Sequence, residues 1–150
     1  MRCVIQRVTS ASVAIDGEVV GKCGKGYMIL IGVSVDDTEK DLEYMANKIP
    51  TLRIFEDENG KMNLGLEAVN GEVLVVSQFT LWASYKKGNR PSYLRAGSNE
   101  VTIPLYERFC AVLSENLGKA IHTGEFGADM KVESINDGPV TILLDSQKTF

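Results

Sequence analysis

Met1 to Val8 and Ala11 to Ile15 are rich in β-branched residues, and Asp16-Gly17 separates them from a further strand-like run, Glu18 to Cys23. That arrangement predicts a hairpin. Gly24 and Gly26 punctuate the chain before Tyr27-Met-Ile-Leu-Ile-Gly-Val33, whose unbroken apolar character predicts a central strand covered on both faces. Asp37 or Thr38 can cap a helix whose Leu42, Met45, Ala46 and Ile49 form one stripe at spacings of three and four, with Pro50 at or just beyond its end.

Leu52 to Phe55 reads as another strand, and Asn59-Gly60 and Asn70-Gly71 carry the residues of tight turns. Glu72 to Leu81 predicts a strand that begins buried and turns polar at Ser77 and Gln78. Trp82 to Glu100 holds glycines, a proline and clustered cations without periodicity, the composition of a long functional loop. Pro104 suits the first turn of a second helix, with Leu105, Phe109, Val112, Leu113 and Leu117 as its buried stripe and Gly118 at its end. Met130 to Ile135 and Val140 to Leu144 then resemble strands flanking Asn136-Asp-Gly-Pro139. Many strands and two main helices predict an α+β fold, a strand-rich single domain over residues 1–150. Two helices cannot cover every sheet face, so a partner subunit is expected.

Composition narrows the function. The 150 residues are 44% apolar and 24% charged, an ordinary globular mix. The longest apolar stretch, Tyr27 to Val33, falls far short of the roughly 20 residues of a membrane-spanning helix. Four residues between Arg2 and Arg7 are too few for a secretory signal, and we expect a cytoplasmic protein. Cys3, Cys23 and Cys110 are far apart and never in a C-x-x-C pair, which suggests neither a zinc site nor a disulfide framework. His122 is the one histidine, so two-histidine metal motifs are excluded and a histidine-based triad would have to use it. A net charge of -4 argues against wrapping long nucleic acid, and any such contact must be local.

Two segments place small or polar residues beside apolar strands: Ser77-Gln-Phe-Thr-Leu81 and Asn136-Asp-Gly-Pro-Val-Thr141. Taken alone, the first reads more readily as a strand end whose hydroxyls satisfy backbone groups, and the second as a hairpin turn. Together, in this order, they resemble the paired signature of the D-aminoacyl-tRNA deacylase family. The resemblance runs the length of the chain, through Gln6-Arg-Val8, Leu52-Arg-Ile-Phe55, Gly88-Asn-Arg-Pro-Ser-Tyr93 and Thr123-Gly-Glu-Phe-Gly-Ala-Asp-Met130.

The resemblance implies β-barrel-like sheets, a homodimer, and hydrolysis of the ester between a D-amino acid, or glycine mischarged on tRNA-Ala, and the terminal adenosine of tRNA. It implies neither metal nor cofactor. It also implies that Gly138-Pro139, with a cis bond, reaches from one subunit into the pocket of the other and rejects L-aminoacyl-tRNA, steadied by Arg7. Without the family, Arg7 would read as an exposed strand cation. Asn136, Met130 and Phe126 are expected near the substrate, the last two by its adenosine. Ser77, Gln78, Phe79 and Thr80 would form the catalytic wall, with backbone N–H groups near Phe79 and Thr80 stabilising the oxyanion and the RNA's terminal 2′-hydroxyl assisting water. Thr80 lacks an adjacent base in the motif, so a positioning role is favoured over a nucleophilic one. Lys86, Lys87, Arg90 and Arg95, interleaved with Tyr85 and Tyr93, are expected to track the acceptor end by phosphate contact and stacking, although four loop cations can also be a solvated edge. The alternative is a non-catalytic dimer that binds tRNA ends or nucleotides.

Overall fold

The computed structural model describes residues 1–150. The chain runs β1 (Arg2–Ile15), β2 (Glu18–Cys23), β3 (Gly26–Gly32), α1 (Glu39–Lys48), β4 (Phe55–Glu56), β5 (Met62–Leu64), β6 (Glu72–Ser77), α2 (Asn99–Leu117), β7 (His122–Thr123) and β8 (Lys131–Asp145).

β1 organises the sheet. Its first half, Arg2 to Val8, pairs antiparallel with β3, and its second half, Ala11 to Ile15, with β2 through the turn at Asp16-Gly17. β8 pairs along the other edge of β1 for nearly its whole length. β3 continues into β6 and β6 into β7, both in parallel register. Gly21 of β2 lies directly against the backbone carbonyl of Thr123 in β7, so the sheet curls into a nearly closed barrel.

Two apolar clusters explain why β3 and β6 are apolar throughout. Tyr27, Ile29, Ile31, Val73 and Val75 face α1 and α2, packing with Leu42, Met45, Ile49, Phe109 and Leu113. Met28, Leu74 and Val76 face the barrel interior with Val8, Ala11 and Val13. On β1 the parity switches: the odd positions Cys3 and Ile5 point to the helices and Val8 inward by plain alternation, whereas the odd positions Ala11 and Val13 also point inward. The switch follows an irregularity between Val8 and Ser10, where the ladder to β8 shifts. The break in pattern at Thr9-Ser10 is therefore a bulge within one strand, not a gap between two.

Other boundaries also differ from the sequence reading. Leu52 to Ile54 is not strand; a 3-10 turn at Ile49–Thr51 precedes it, and pairing begins at Phe55. β6 ends at Ser77, and Phe79–Trp82 forms a 3-10 helix. α2 starts at Asn99 after the N-cap Ser98, so Pro104 lies a full turn inside. Its buried stripe is Thr102, Tyr106, Phe109 and Leu113. Asn136 to Pro139 is not a hairpin turn. β8 passes straight through it, with the residues from Asn136 to Thr141 spanning what β1 covers from Val8 to Gln6. The surplus residues arch outward above Arg7.

Candidate active site

A cavity of about 490 Å³ opens where the parallel strands β3 and β6 end. Ile31, Val33, Val76 and Ser77 form one wall, continued by Gln78 and Phe79. The Gln78 N–H donates to the Ile31 carbonyl at 2.7 Å, which bends the chain out of β6 and into the 3-10 helix. The opposite wall is α2, through Asn99, Thr102 and Tyr106, and the segment from Phe126 to Met130 closes the third side. Gly124 N–H donates to the Val75 carbonyl at 3.1 Å and ties that segment to the end of the β6–β7 pair.

The 3-10 helix positions the polar wall. Trp82 is buried, with its indole N–H donating to the Gly32 carbonyl at 3.0 Å. Arg2 stacks over the Trp82 ring at 4.0 Å and donates to the Leu81 carbonyl at 3.1 Å. The helix is thus pinned from both sides. The backbone N–H groups of Phe79 and Thr80, at its start, donate to no acceptor in the chain, as the first turn of a helix dictates. The Gln78 side-chain amide donates to the Thr80 hydroxyl at 2.5 Å. No carboxylate or imidazole hydrogen-bonds Thr80.

Titratable chemistry is sparse at this site. Asp129 is the carboxylate of the cavity lining, and it is solvent-exposed and paired with Lys131 at 3.1 Å. Burial pushes the Tyr106 phenol up, so it is neutral at physiological pH. His122 sits on β7, outside the cavity lining, 3.6 Å from Glu72. No group of three or more His, Cys, Asp or Glu side chains is placed to hold a metal ion.

The structure brings Ser77, Gln78, Phe79, Phe126 and Met130 together around one cavity, with Thr80 immediately beside it. Gly138, Pro139, Asn136 and Arg7 stand outside that lining. Arg7 is buried between the sheet and the arch, donating from Nη1 to the Ile54 carbonyl at 2.7 Å and from Nε to the Asp137 carbonyl at 3.0 Å. The solvated-cation reading of Arg7 is thereby excluded. Gly138-Pro139 is a cis peptide, exposed at the top of the arch.

The cations divide into two groups. Ser84 and Ser92 exchange two backbone hydrogen bonds of 2.8 Å, closing a loop whose exposed tip holds Lys86, Lys87 and Arg90. Arg95 stands apart, paired with Asp36 at 3.1 Å and lying 5.5 Å from the Trp82 ring. The loop joins the cavity through an edge-to-face contact of Tyr93 with Phe79, centroids 5.1 Å apart. Thr102 and Tyr106 were missed by sequence reasoning. Starting the helix at Pro104 hid the first, and a stripe drawn through the leucines hid the second.

Comparison with known proteins matches the family model described as D-Tyr-tRNA(Tyr) deacylase to residues 4–145. A D-aminoacyl-tRNA deacylase of Parabacteroides distasonis is 56% identical over 147 residues, covering 98% of both chains. One from Dechloromonas aromatica is 58% identical over the same span and coverage. Among solved structures, the c-Myc DNA unwinding element binding protein superposes with a TM-score of 0.90 at 42% identity, covering 97% of this chain and 98% of its own. With its two helices on a nearly closed barrel and both signature segments framing one cavity and one exposed arch, the chain belongs to the D-Tyr-tRNA(Tyr) deacylase family.

Proposed function

We propose that this protein hydrolyses the ester between a D-amino acid, or glycine mischarged on tRNA-Ala, and the terminal adenosine of tRNA, and that it works as a homodimer. The observation that carries the reading is the pair of unpartnered N–H groups at Phe79 and Thr80, held rigidly beside a cavity whose carboxylate, Asp129, is exposed and paired with Lys131. Such donors stabilise an oxyanion, and preorganised donors of this kind are each worth about 10² to 10³ in rate. Water attacks the ester carbonyl, the charge that develops on its oxygen is met by those N–H groups, and the bond to the ribose oxygen breaks as that oxygen regains a proton. The vicinal 2′-hydroxyl of the RNA relays the proton, so that no protein side chain needs to titrate. The products are a free amino acid and an intact tRNA.

Chirality is read by the arch. Gly138 and Pro139 belong to no wall of their own subunit's cavity, yet Arg7 holds their backbone in place at the cost of burying a guanidinium. β8 pairs with β1 alone, so its outer edge is open, and Val132, Ile135 and Leu143 are exposed along it. An open edge carrying apolar side chains fits a second copy of the chain. In that dimer each arch enters the other cavity, where fixed carbonyls accept from the substrate ammonium and leave no room for an L side chain. Asn136 flanks the arch, Phe126 and Met130 meet the adenosine, and Lys86, Lys87, Arg90 and Arg95 receive the phosphates of the acceptor end. No helix is long and apolar enough to cross a membrane.

Matched D- and L-tyrosyl-tRNA incubated with the purified protein test the reading. Loss of the D ester with the L ester spared is the expected result. Equal loss of both, or loss of neither with binding retained, would falsify it and favour a non-catalytic tRNA-end binder.

A further inference from the structure

The donor helix Phe79–Trp82 is too short to hold itself. Its turns supply a bond from Leu81 N–H to the Gln78 carbonyl at 3.3 Å and one from Ala83 N–H to the Thr80 carbonyl at 3.0 Å. Hydrogen bonds in 3-10 geometry are poor, so where the Phe79 and Thr80 N–H groups point depends on what grips the far end. The donor that would continue the helix, Ser84 N–H, is committed to the Ser92 carbonyl at 2.8 Å. The Leu81 carbonyl takes its bond from the Arg2 guanidinium instead.

Arg2 is itself held. It stands opposite Asp145 in the β1–β8 ladder, and its Nε donates to Asp145 Oδ2 at 3.2 Å. The Asp145 side chain is fully buried, and its carboxylate also accepts from Gln147 N–H at 2.8 Å and from the Thr149 hydroxyl. A carboxylate so fixed sets the plane of the guanidinium, which lies 4.0 Å from the centre of the Trp82 ring and 5.5 Å from that of Phe150. Nη1 is thereby aimed at Leu81. A guanidinium can pair, donate and stack at once, whereas an ammonium is a point charge without a plane. The Arg2 side chain is 27% exposed, and an ion pair open to water adds little to stability. What the arrangement supplies is direction.

We propose that Arg2, backed by Asp145, is a positioning residue for the hydrolysis: it sets the tilt of the Phe79–Trp82 helix and so the aim of the two N–H donors at its start. The proposal rests on the deacylase reading above and adds a residue that lies outside both signature motifs and outside the cavity lining. The donors meet charge that develops only in the transition state, so a mis-set helix lowers kcat and leaves KM.

The test compares wild type, Arg2→Met and Arg2→Lys in the hydrolysis of D-tyrosyl-tRNA. Arg108→Met, which breaks the exposed 3.0 Å pair with Glu39, serves as the control. Arg2→Met is expected to lose about tenfold in kcat with KM within about twofold, a fraction of the roughly 10² to 10³ that one preorganised donor is worth. Arg2→Lys is expected to lose most of the same activity, because an ammonium cannot pair, donate and stack together. The control is expected to keep wild-type kcat. Trp82 is the one tryptophan of the chain, so its fluorescence reports the helix directly. A red-shifted emission is expected in Arg2→Met and not in the control. A merely structural role would lower the melting temperature and leave kcat unchanged well below it. Wild-type kcat in a folded Arg2→Met protein, or a loss confined to KM, overturns the positioning role while leaving the deacylase reading intact. If Arg2→Met fails to fold, the milder Arg2→Lys decides by the same split. Absence of D-tyrosyl-tRNA hydrolysis in wild type overturns both readings.

Discussion

The Arg7 guanidinium donates to the backbone carbonyl of Asp137 at 3.0 Å, joining a buried residue of β1 to the arch of β8 across 130 positions of sequence. Its second donor is spent on the Ile54 carbonyl at 2.7 Å, and its charge is met by the Asp137 carboxylate at 3.6 Å. One planar group therefore ties the arch, through Asp137, to the segment that carries Ile54. This explains why a cation is tolerated beside Tyr27, in a position that would otherwise be apolar.

Arg7→Lys keeps the charge but cannot span both carbonyls with one ammonium. We expect D-tyrosyl-tRNA hydrolysis to fall at least about tenfold, accompanied by a stability loss of roughly 1.5 to 3 kcal/mol, the range for hydrogen bonds to charged groups. Paired kcat/KM and denaturant measurements check this. Unchanged kcat/KM would detach the arch from the reaction.

Gly138 has φ +129, and a Cβ there would stand 2.9 Å from Val140 Cγ2 and 3.1 Å from Arg7 Nη2. An L side chain is strained at that φ whatever the space, and here it also presses on the residue that holds the arch. Gly138→Ala is expected to impair D-ester hydrolysis strongly while the barrel still folds, since the arch is exposed and carries no core contact. Circular dichroism alongside single-turnover deacylation separates the two. Wild-type kinetics in this variant would place the arch away from the substrate.

These two residues also mark what the sequence could and could not reveal. The alternating and continuous apolar runs place β2 and β3 to within a residue and locate β1 and β6, though not their full extents, because burial dictates them. The bulge at Thr9-Ser10 is visible only as a skipped beat in that pattern. Asn136 to Pro139 has turn composition yet interrupts a single strand, because the turn propensity is spent on an arch whose ends stay paired to β1. The polar signature Ser77 to Thr80 was legible as an oddity at a strand end. Thr102 and Tyr106 were not, since a helical threonine and tyrosine look like ordinary stripe residues until the fold sets them in the wall of the cavity.

Thr80→Ala removes a hydroxyl whose one partner is the Gln78 amide, and it leaves both backbone donors in place. Activity is expected to persist, reduced by about tenfold or less, the scale of one hydrogen bond. No acyl-enzyme is expected on rapid quenching of the wild type. Complete loss of turnover in Thr80→Ala, with an acyl group trapped on wild-type Thr80, would make the residue a nucleophile.

Burial raises the thiols of all three cysteines: Cys23 to about 11 and Cys110 to about 12, with Cys3 higher still. Burial likewise raises the phenols of Tyr27 and Tyr106. Each group binds its proton more tightly when folded, so its stabilising contribution is complete below its unfolded value, about 8.5 for a thiol and about 10 for a phenol, and is lost as pH climbs toward the folded value. Stability is expected to fall steadily above about pH 9, by an amount of order 1 kcal/mol per pH unit for a fully buried thiol such as Cys3. Melting curves between pH 7 and 10.5 read this directly. A flat profile across that range would mean that the thiols are open to solvent.

The claim that matters most is that an arch serves its neighbour's cavity, and mixed dimers address it. One partner carries Gly138→Ala, which spoils its arch; the other carries Ala128→Trp, which fills its own cavity. Each variant alone is expected to be inactive on D-tyrosyl-tRNA. Unfolded and refolded together, half the molecules by chance pair one of each, and a single cavity in each such dimer meets an intact arch. Recovery of about a quarter of the wild-type sites, still selective for the D ester, is the predicted result. No recovery, with mixed dimers demonstrably formed, would contradict it and return the arch to its own subunit.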